Sequence, residues 1–152
     1  MLFVYLILII GPIANFWHEL GHTVAALLLK TDRVELTLGK GKAFTHFKIN
    51  TVHITIQNIY FLGGVTNSRR AKAFNHQEKI LLALAGPIFS LLLTILSFIG
   101  YLYFMHNILL MSMIYNGWIA FMNLVPFKLK NKKSDGYIAW QAFVQRKNTY
   151  KK

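Results

Sequence analysis

Two long uncharged runs, one stretch of strict alternation and a polar, basic remainder divide this chain. Ile80 to Phe104 is 25 residues without a charge and Asn107 to Phe127 is 21 more, each enough to cross a hydrocarbon core of about 30 Å. Residues 1 to 29 are apolar apart from one short polar cluster, and as a helix they extend about 43 Å. Gly11-Pro12 is where that helix should break or kink. The period then changes. Val34, Leu36 and Leu38 alternate with Glu35 and Thr37, GKGK (39–42) is a turn signal, and Val52, Ile54 and Ile56 alternate with His53, Thr55 and Gln57. This predicts a short antiparallel meander over about 32–60, ended by Gly63-Gly64. SRRAKAFNHQEK (68–79) reads as an interfacial lead-in to the next helix, and the basic stretch from Lys128 is the nearest thing to a linker.

The pattern therefore predicts a membrane α-helical fold: a three-transmembrane-helix core, with spans at about 1–29, 80–104 and 107–127, and a small antiparallel β meander at the cytoplasmic interface. With 152 residues it is one domain. Composition agrees, since 55% of residues are hydrophobic and 14% are charged, against roughly a quarter in soluble domains. The opening LFVYLILII resembles a signal-peptide core but lacks a basic start and a small-residue cleavage site, so it is read as retained.

Charge fixes an orientation. The net charge of +12 would suggest a nucleic-acid partner in a soluble protein, but no basic stripe interleaves with aromatics on a regular element, and none is expected. Residues 30–79 hold nine Lys and Arg and residues 128–152 hold eight, whereas the turn at 105–107 holds none. The positive-inside rule then places the amino terminus and the 105–107 turn outside, and the strand region and carboxyl terminus in the cytoplasm. The expected setting is multi-pass insertion in a bacterial cell membrane, with the lipid bilayer as a partner.

Against this background NFWHELGHTV (15–24) is anomalous, because ionisable groups at membrane depth are costly. His18 and His22 are four apart, so on a helix they project from one face and reach a single zinc ion. Glu19 lies between them, close enough to take a proton from water activated at that ion. This is the His-Glu-x-x-His arrangement of metalloproteases. Asn15 shares the face of His18, either supporting a ligand or simply starting the helix after Pro12.

Zinc needs a third protein ligand, and with no cysteine it must be a histidine or a carboxylate. The acids are Glu19, Asp32, Glu35, Glu78 and Asp135. Asp32 and Glu35 sit among charged neighbours that suit solvent, and Glu78 suits a helix amino terminus. Elimination leaves Asp135, whose neighbour Gly136 allows close backbone approach. His46, His53, His76 and His106 receive no role.

HELGH (18–22) in an early span, AGPIFS (85–90) in the next, and NLVPF (123–127) leading to SDG (134–136) together resemble the site-2 protease family of intramembrane zinc metalloproteases, in the minimal form typical of stage IV sporulation factor processing. The resemblance extends to about Trp140. It implies that His18, His22 and Asp135 hold zinc and that Glu19 is the catalytic base. It further implies that Gly86, Pro87 and Ser90 pack beside the site, that Asn123 stabilises an oxyanion, and that Pro126 follows it at the end of the last span. In one respect the chain departs from the family: a basic insert, KLKNKKS (128–134), sets Asp135 twelve residues after Asn123, and Ser134 stands where Leu or Pro is usual.

The expected function is an intramembrane zinc endopeptidase acting on a membrane-spanning or membrane-associated protein or peptide. An exposed sheet edge within 43–60, with Ile54 and Ile56 as substrate-binding positions, could hold an unwound substrate segment extended. The alternatives are a non-catalytic membrane protein, such as an immunity or binding factor, that keeps the protease fold, and a soluble zinc protease on a membrane anchor.

Overall fold

The computed structural model describes residues 2–130 and 132–149, so Met1 of the expected first span, Asn131 of the insert and residues 150–152 of the expected domain lie outside the described residues. The first helix begins as α1 (Leu2–Tyr5), passes through a π-helical turn (Leu6–Ile10) and continues as α2 (Gly11–Leu28). The break expected at Gly11-Pro12 therefore falls just ahead of it. Pro12 has no N–H for the carbonyl of Leu8 and crowds it, and a π turn spreads that misfit over five residues. The orphaned Leu8 carbonyl accepts a hydrogen bond of 3.5 Å from Tyr60 Oη.

After α2, strand β1 (Arg33–Ile49) and strand β2 (Val52–Arg69) pair with each other along their whole length. GKGK reverses the chain, as its glycines predict: 34–38 run alongside 52–56 in the same direction and 45–49 run against 52–56. The direction therefore changes between Leu38 and Ala43, where Gly39 and Gly41 stand at φ +87° and +101°, and changes again at Asn50, which tolerates φ +52°. Gly63 and Gly64 do not end the sheet, because β2 continues to Arg69. The register shows each long strand used twice: residues 34–38 pair with 64–68 on one side and with 52–56 on the other, and 52–56 pair in turn with residues 45–49. Four strand segments thus lie side by side in the order 64–69, 33–38, 52–57, 43–49. The outer segments, 64–69 and 43–49, are the free edges.

Ile54 is paired to both Leu36 and Phe47, and Ile56 to both Leu38 and Thr45, so these two residues lie on an interior segment and offer no edge. The alternating pattern identified a strand but could not say which strand was outermost. The sheet also departs from a purely interfacial position, because it runs back along the first helix. Arg70 Nη1 donates to the Leu29 carbonyl at one end, Thr66 Oγ1 donates to the Glu19 carbonyl, and Tyr60 reaches Leu8 at the other. A small core of Ala26, Val34 and Val52, with Ile54 and Leu82 packed against it, joins sheet, α2 and the next helix.

That helix, α3 (His76–Phe104), starts with a capping box in which Asn75 Oδ1 accepts from the Glu78 N–H and the Glu78 carboxylate accepts from the Asn75 N–H. Glu78 also receives two hydrogen bonds from Arg70, at 2.8 and 3.1 Å. Arg70 therefore ties the end of α2, the exit of the sheet and the start of α3. Arg70→Ala should cost about 1–3 kcal/mol, because it strands a part-buried carboxylate and a helix-end carbonyl; a lower thermal midpoint in detergent checks it.

Met105, at φ +48°, ends α3, and His106 caps α4 (Asn107–Leu124) with its side chain, so the 105–107 turn falls where the sequence places it. The first helix over Phe3–Leu28 and α3 over its 29 residues are long and apolar enough to cross a membrane. Their outward faces are bare: Ile95 and Leu96 on α3 are 54% and 57% exposed. Two candidate spans rather than three meet that test among the described residues. α4 has 18 residues, and its asparagines at 107, 116 and 123 dilute the apolar run.

The described residues from Lys128 to Thr149 form regular elements rather than a linker. Lys128–Leu129 (β3) and Lys132–Lys133 (β4) pair as a small hairpin, and α5 (Asp135–Thr149) follows. No hydrophobic period announces α5, which is polar for much of its length. Its start was legible all the same in Ser-Asp-Gly, a capping residue followed by an acid.

Candidate metal centre

His18 and His22 lie one turn apart on α2, with their rings facing at a centroid distance of 5.0 Å and their Nε2 atoms 3.3 Å apart. Asp135, 117 residues beyond His18, is brought to them by the first turn of α5: its Oδ2 is 3.1 Å from His18 Nε2 and 3.4 Å from His22 Nε2. Among the described residues this is the one group of three or more such side chains able to share a metal ion. Three ligands at tetrahedral angles, with bonds of about 2.0–2.1 Å, sit roughly 3.3–3.4 Å from one another. The observed separations match a zinc ion, and the donor set of two imidazoles and one carboxylate suits it.

The opposite ring nitrogens are engaged. His22 Nδ1 donates to the Leu82 carbonyl at 2.7 Å, which leaves its Nε2 lone pair facing the centre, and His18 Nδ1 is 2.9 Å from Ser90 Oγ. Such contacts fix ring orientation at metal centres. Both partners lie on α3, which comes close because glycines line the contact. A Cβ on Gly21 would be 2.5 Å from the Ala85 carbonyl oxygen, and one on Gly86 would overlap His22 Nε2 and lie 2.8 Å from His18 Nε2. The small-residue motif AGPIFS thus belongs beside the histidines, with Gly86, Pro87 and Ser90 all buried.

Asp135 is held by Ser134, which is 4% exposed. Ser134 Oγ donates to the Val125 carbonyl at 2.7 Å and accepts from the N–H groups of Phe127 and Tyr137, at 3.0 and 3.1 Å. Gly136 then lies so close to the Leu124 carbonyl that a Cβ could not fit. Burial works to raise the pKa of the Asp135 carboxyl, but hydrogen bonds and charge from His18 and His22 outweigh it and hold the group below its ordinary value.

Glu19 is 8% exposed and lies against β2, where a Cβ on Gly64 would come within 2.6 Å of its Cγ. It lines a cavity of about 790 Å³ together with His18, His22, Asp135 and Asn123, and the free edge 64–68 forms one wall. Asn123 donates one of its Nδ2 hydrogens to the Ile119 carbonyl at 2.9 Å. Asn15 lies apart from the centre, bonded instead to Tyr115 of α4. Ile54 and Ile56 do not line the cavity, and neither do the other histidines; His46 bonds Thr55 and lies 5.9 Å from the His53 ring, and His106 caps α4.

Two features of this site are absent from the sequence reading. One is the anchoring by Ser134, although a serine ahead of Asp-Gly is a recognisable helix cap. The other is strand 64–68, hidden because Gly63-Gly64 reads as a terminator.

No curated protein matches the chain. The model of Peptidase family M50 matches residues 4–110, a span that includes the two histidines, Glu19 and the glycine-lined face of α3 and stops short of Asn123 and Asp135. A helical pair carrying His-Glu-x-x-His against a small-residue face, with a sheet laid along it, is thus matched over more than half the chain, and the protein belongs to Peptidase family M50, the site-2 protease family of membrane metalloproteases.

Proposed function

We propose that this protein is an intramembrane zinc endopeptidase that hydrolyses a peptide bond in a membrane-spanning or membrane-associated protein or peptide. In this reading three spans, the first helix, α3 and α4, embed it in a bacterial cell membrane with its carboxyl terminus in the cytoplasm. The charge distribution and the bare apolar faces of the helices support that setting. One observation carries the functional reading: ligand atoms from two distant stretches of chain converge at zinc-like separations beside a buried glutamate.

His18, His22 and Asp135 would hold the ion. Zinc bound there lowers the pKa of water toward 7 and polarises a carbonyl. Glu19 accepts the proton of the attacking water and returns it to the leaving amine, and its burial beside Gly64 keeps the carboxylate aimed into the cavity. Asn123 keeps one side-chain N–H for the developing oxyanion, since the Ile119 carbonyl takes only the other. The substrate-pairing role expected of Ile54 and Ile56 passes to 64–68, the free edge that lines the cavity. A chain laid along it is extended, which exposes the amide that a helix hides.

The test is metal removal and return. The purified protein in lipid vesicles, given a labelled single-span reporter peptide, should release a shorter product, stop after chelation and resume when zinc is added back. Cleavage that continues in metal-free protein would remove the reading.

A further inference from the structure

We propose that the substrate of this site carries acidic residues beside its scissile bond, read by four lysines around the cavity. The inference rests on the endopeptidase reading above and names the chemistry of what that site takes. Lys40, Lys79, Lys132 and Lys133 line the same cavity as the two histidines and Glu19, and all four are exposed. They come from three separate places: the turn within β1, the first turn of α3 and the hairpin formed by the basic insert.

Among the described residues no acid is paired with them. Glu78 is paired with Arg70, Glu35 with Arg33, and the Asp32 carboxylate accepts from the Ala71 N–H. Glu19 and Asp135 belong to the centre, and among the described residues no carboxylate lies within ion-pair distance of any of the four lysines. Lys133 Nζ touches only neutral groups, the Gln141 Oε1 at 3.2 Å and the Tyr137 ring at 5.6 Å. Four unneutralised cations around one cavity repel each other, and an anion entering it is favoured by all of them.

The hydrolysis itself has no use for these charges, since the proton transfers are assigned to Glu19 and the oxyanion to Asn123. Their use is in choosing what enters. A substrate segment paired with 64–68 runs within the same cavity as the four ammonium groups, so acidic side chains on it would be met at short range. Anionic lipid headgroups would satisfy the same charges, but the lysines line a cavity walled by a strand edge rather than a flat face, which favours a peptide.

The experiment uses the full-length, zinc-loaded Glu19→Gln protein, in which binding is read without turnover. The probes are three fluorescent single-span peptides, identical except for Glu-Glu-Asp, Ser-Ser-Ser or Lys-Lys-Lys at the end of the apolar run, presented in phosphatidylcholine vesicles. The acidic peptide should bind about tenfold more tightly than the serine one, the scale of two or three exposed charge pairs. The lysine peptide should bind most weakly. Lys132→Glu/Lys133→Glu, which brings the four positions to no net charge, should abolish the preference, and Lys40→Glu/Lys79→Glu, remote from the hairpin, should do so independently.

Equal binding of the three peptides, or a preference that survives both double substitutions, overturns the proposal. If the substitutions leave peptide order unchanged and abolish only binding to vesicles containing phosphatidylglycerol, the lysines serve the membrane surface and the proposal is likewise overturned. The wild-type protein separates the two readings. Charge-selective binding without cleavage leaves the acidic-segment proposal standing and removes the protease; cleavage of all three peptides at equal rates does the reverse.

Discussion

Glu19→Gln should retain zinc and lose cleavage by about 10³-fold, within the range of 10²–10⁴ expected when a general base is removed. Glutamine has the shape of glutamate, so the close contact with Gly64 and the buried position are kept. The carbonyl of Glu19, which accepts from Thr23 and Thr66, belongs to the backbone and is unaffected. What disappears is the carboxylate that accepts a proton. The measurement is paired: metal content by emission spectroscopy, and the rate of product release from a single-span reporter. A rate within tenfold of the wild type would sink the role assigned to Glu19. A cellular phenotype that survives the substitution would favour a non-catalytic membrane protein on this fold.

Gly86→Ala should reduce zinc affinity by roughly 100-fold, at the upper end of what displacing the surroundings of metal ligands costs. The added methyl group would occupy the space of His22 Nε2 and crowd His18 Nε2, the two atoms that face Asp135. The helix cannot retreat cheaply, because the neighbouring Gly21 and Ala85 already hold α2 and α3 in close contact and Leu82 is bonded to His22. Gly100→Ala on the same helix is the control, since its Cβ would meet Leu109 at an ordinary 3.4 Å. Competition with a zinc-binding fluorophore reads both. Equal affinity in the two variants would show that the glycine face does not shape the centre.

How far the sequence could be read depended on whether each signal was local. His18, Glu19 and His22 lie within a single helical turn, so their spacing alone predicted convergence, and the structure has their side chains together. Asp135 was reached by elimination among five acids, and the structure brings it to the histidines across 117 residues. The sheet was different. Alternation revealed strand segments at 34–38 and 52–56, but the order of segments depends on pairings up to 36 residues apart, such as Arg33 with Arg69. Gly39 and Gly41 do serve the turn that their sequence announces, whereas Gly63 and Gly64 do not end the sheet: β2 continues to Arg69, and Gly64 gives close passage to Glu19. Helix α5 carried almost no apolar period, so only its cap could announce it.

The loop that carries Asp135 is closed at its base. The Ser134 N–H donates to the Phe127 carbonyl at 3.0 Å while Ser134 Oγ takes the Phe127 N–H, so the chain entering the hairpin and the chain leaving it are clamped together. The paired strands Lys128–Leu129 and Lys132–Lys133 lie outside that clamp. Their length and sequence can therefore drift without disturbing the position of the carboxylate, much as an exchangeable tip leaves the handle unchanged. The insert that sets this chain apart from the family is mechanically insulated from Asp135, so the hairpin can change while the carboxylate stays beside the two histidines.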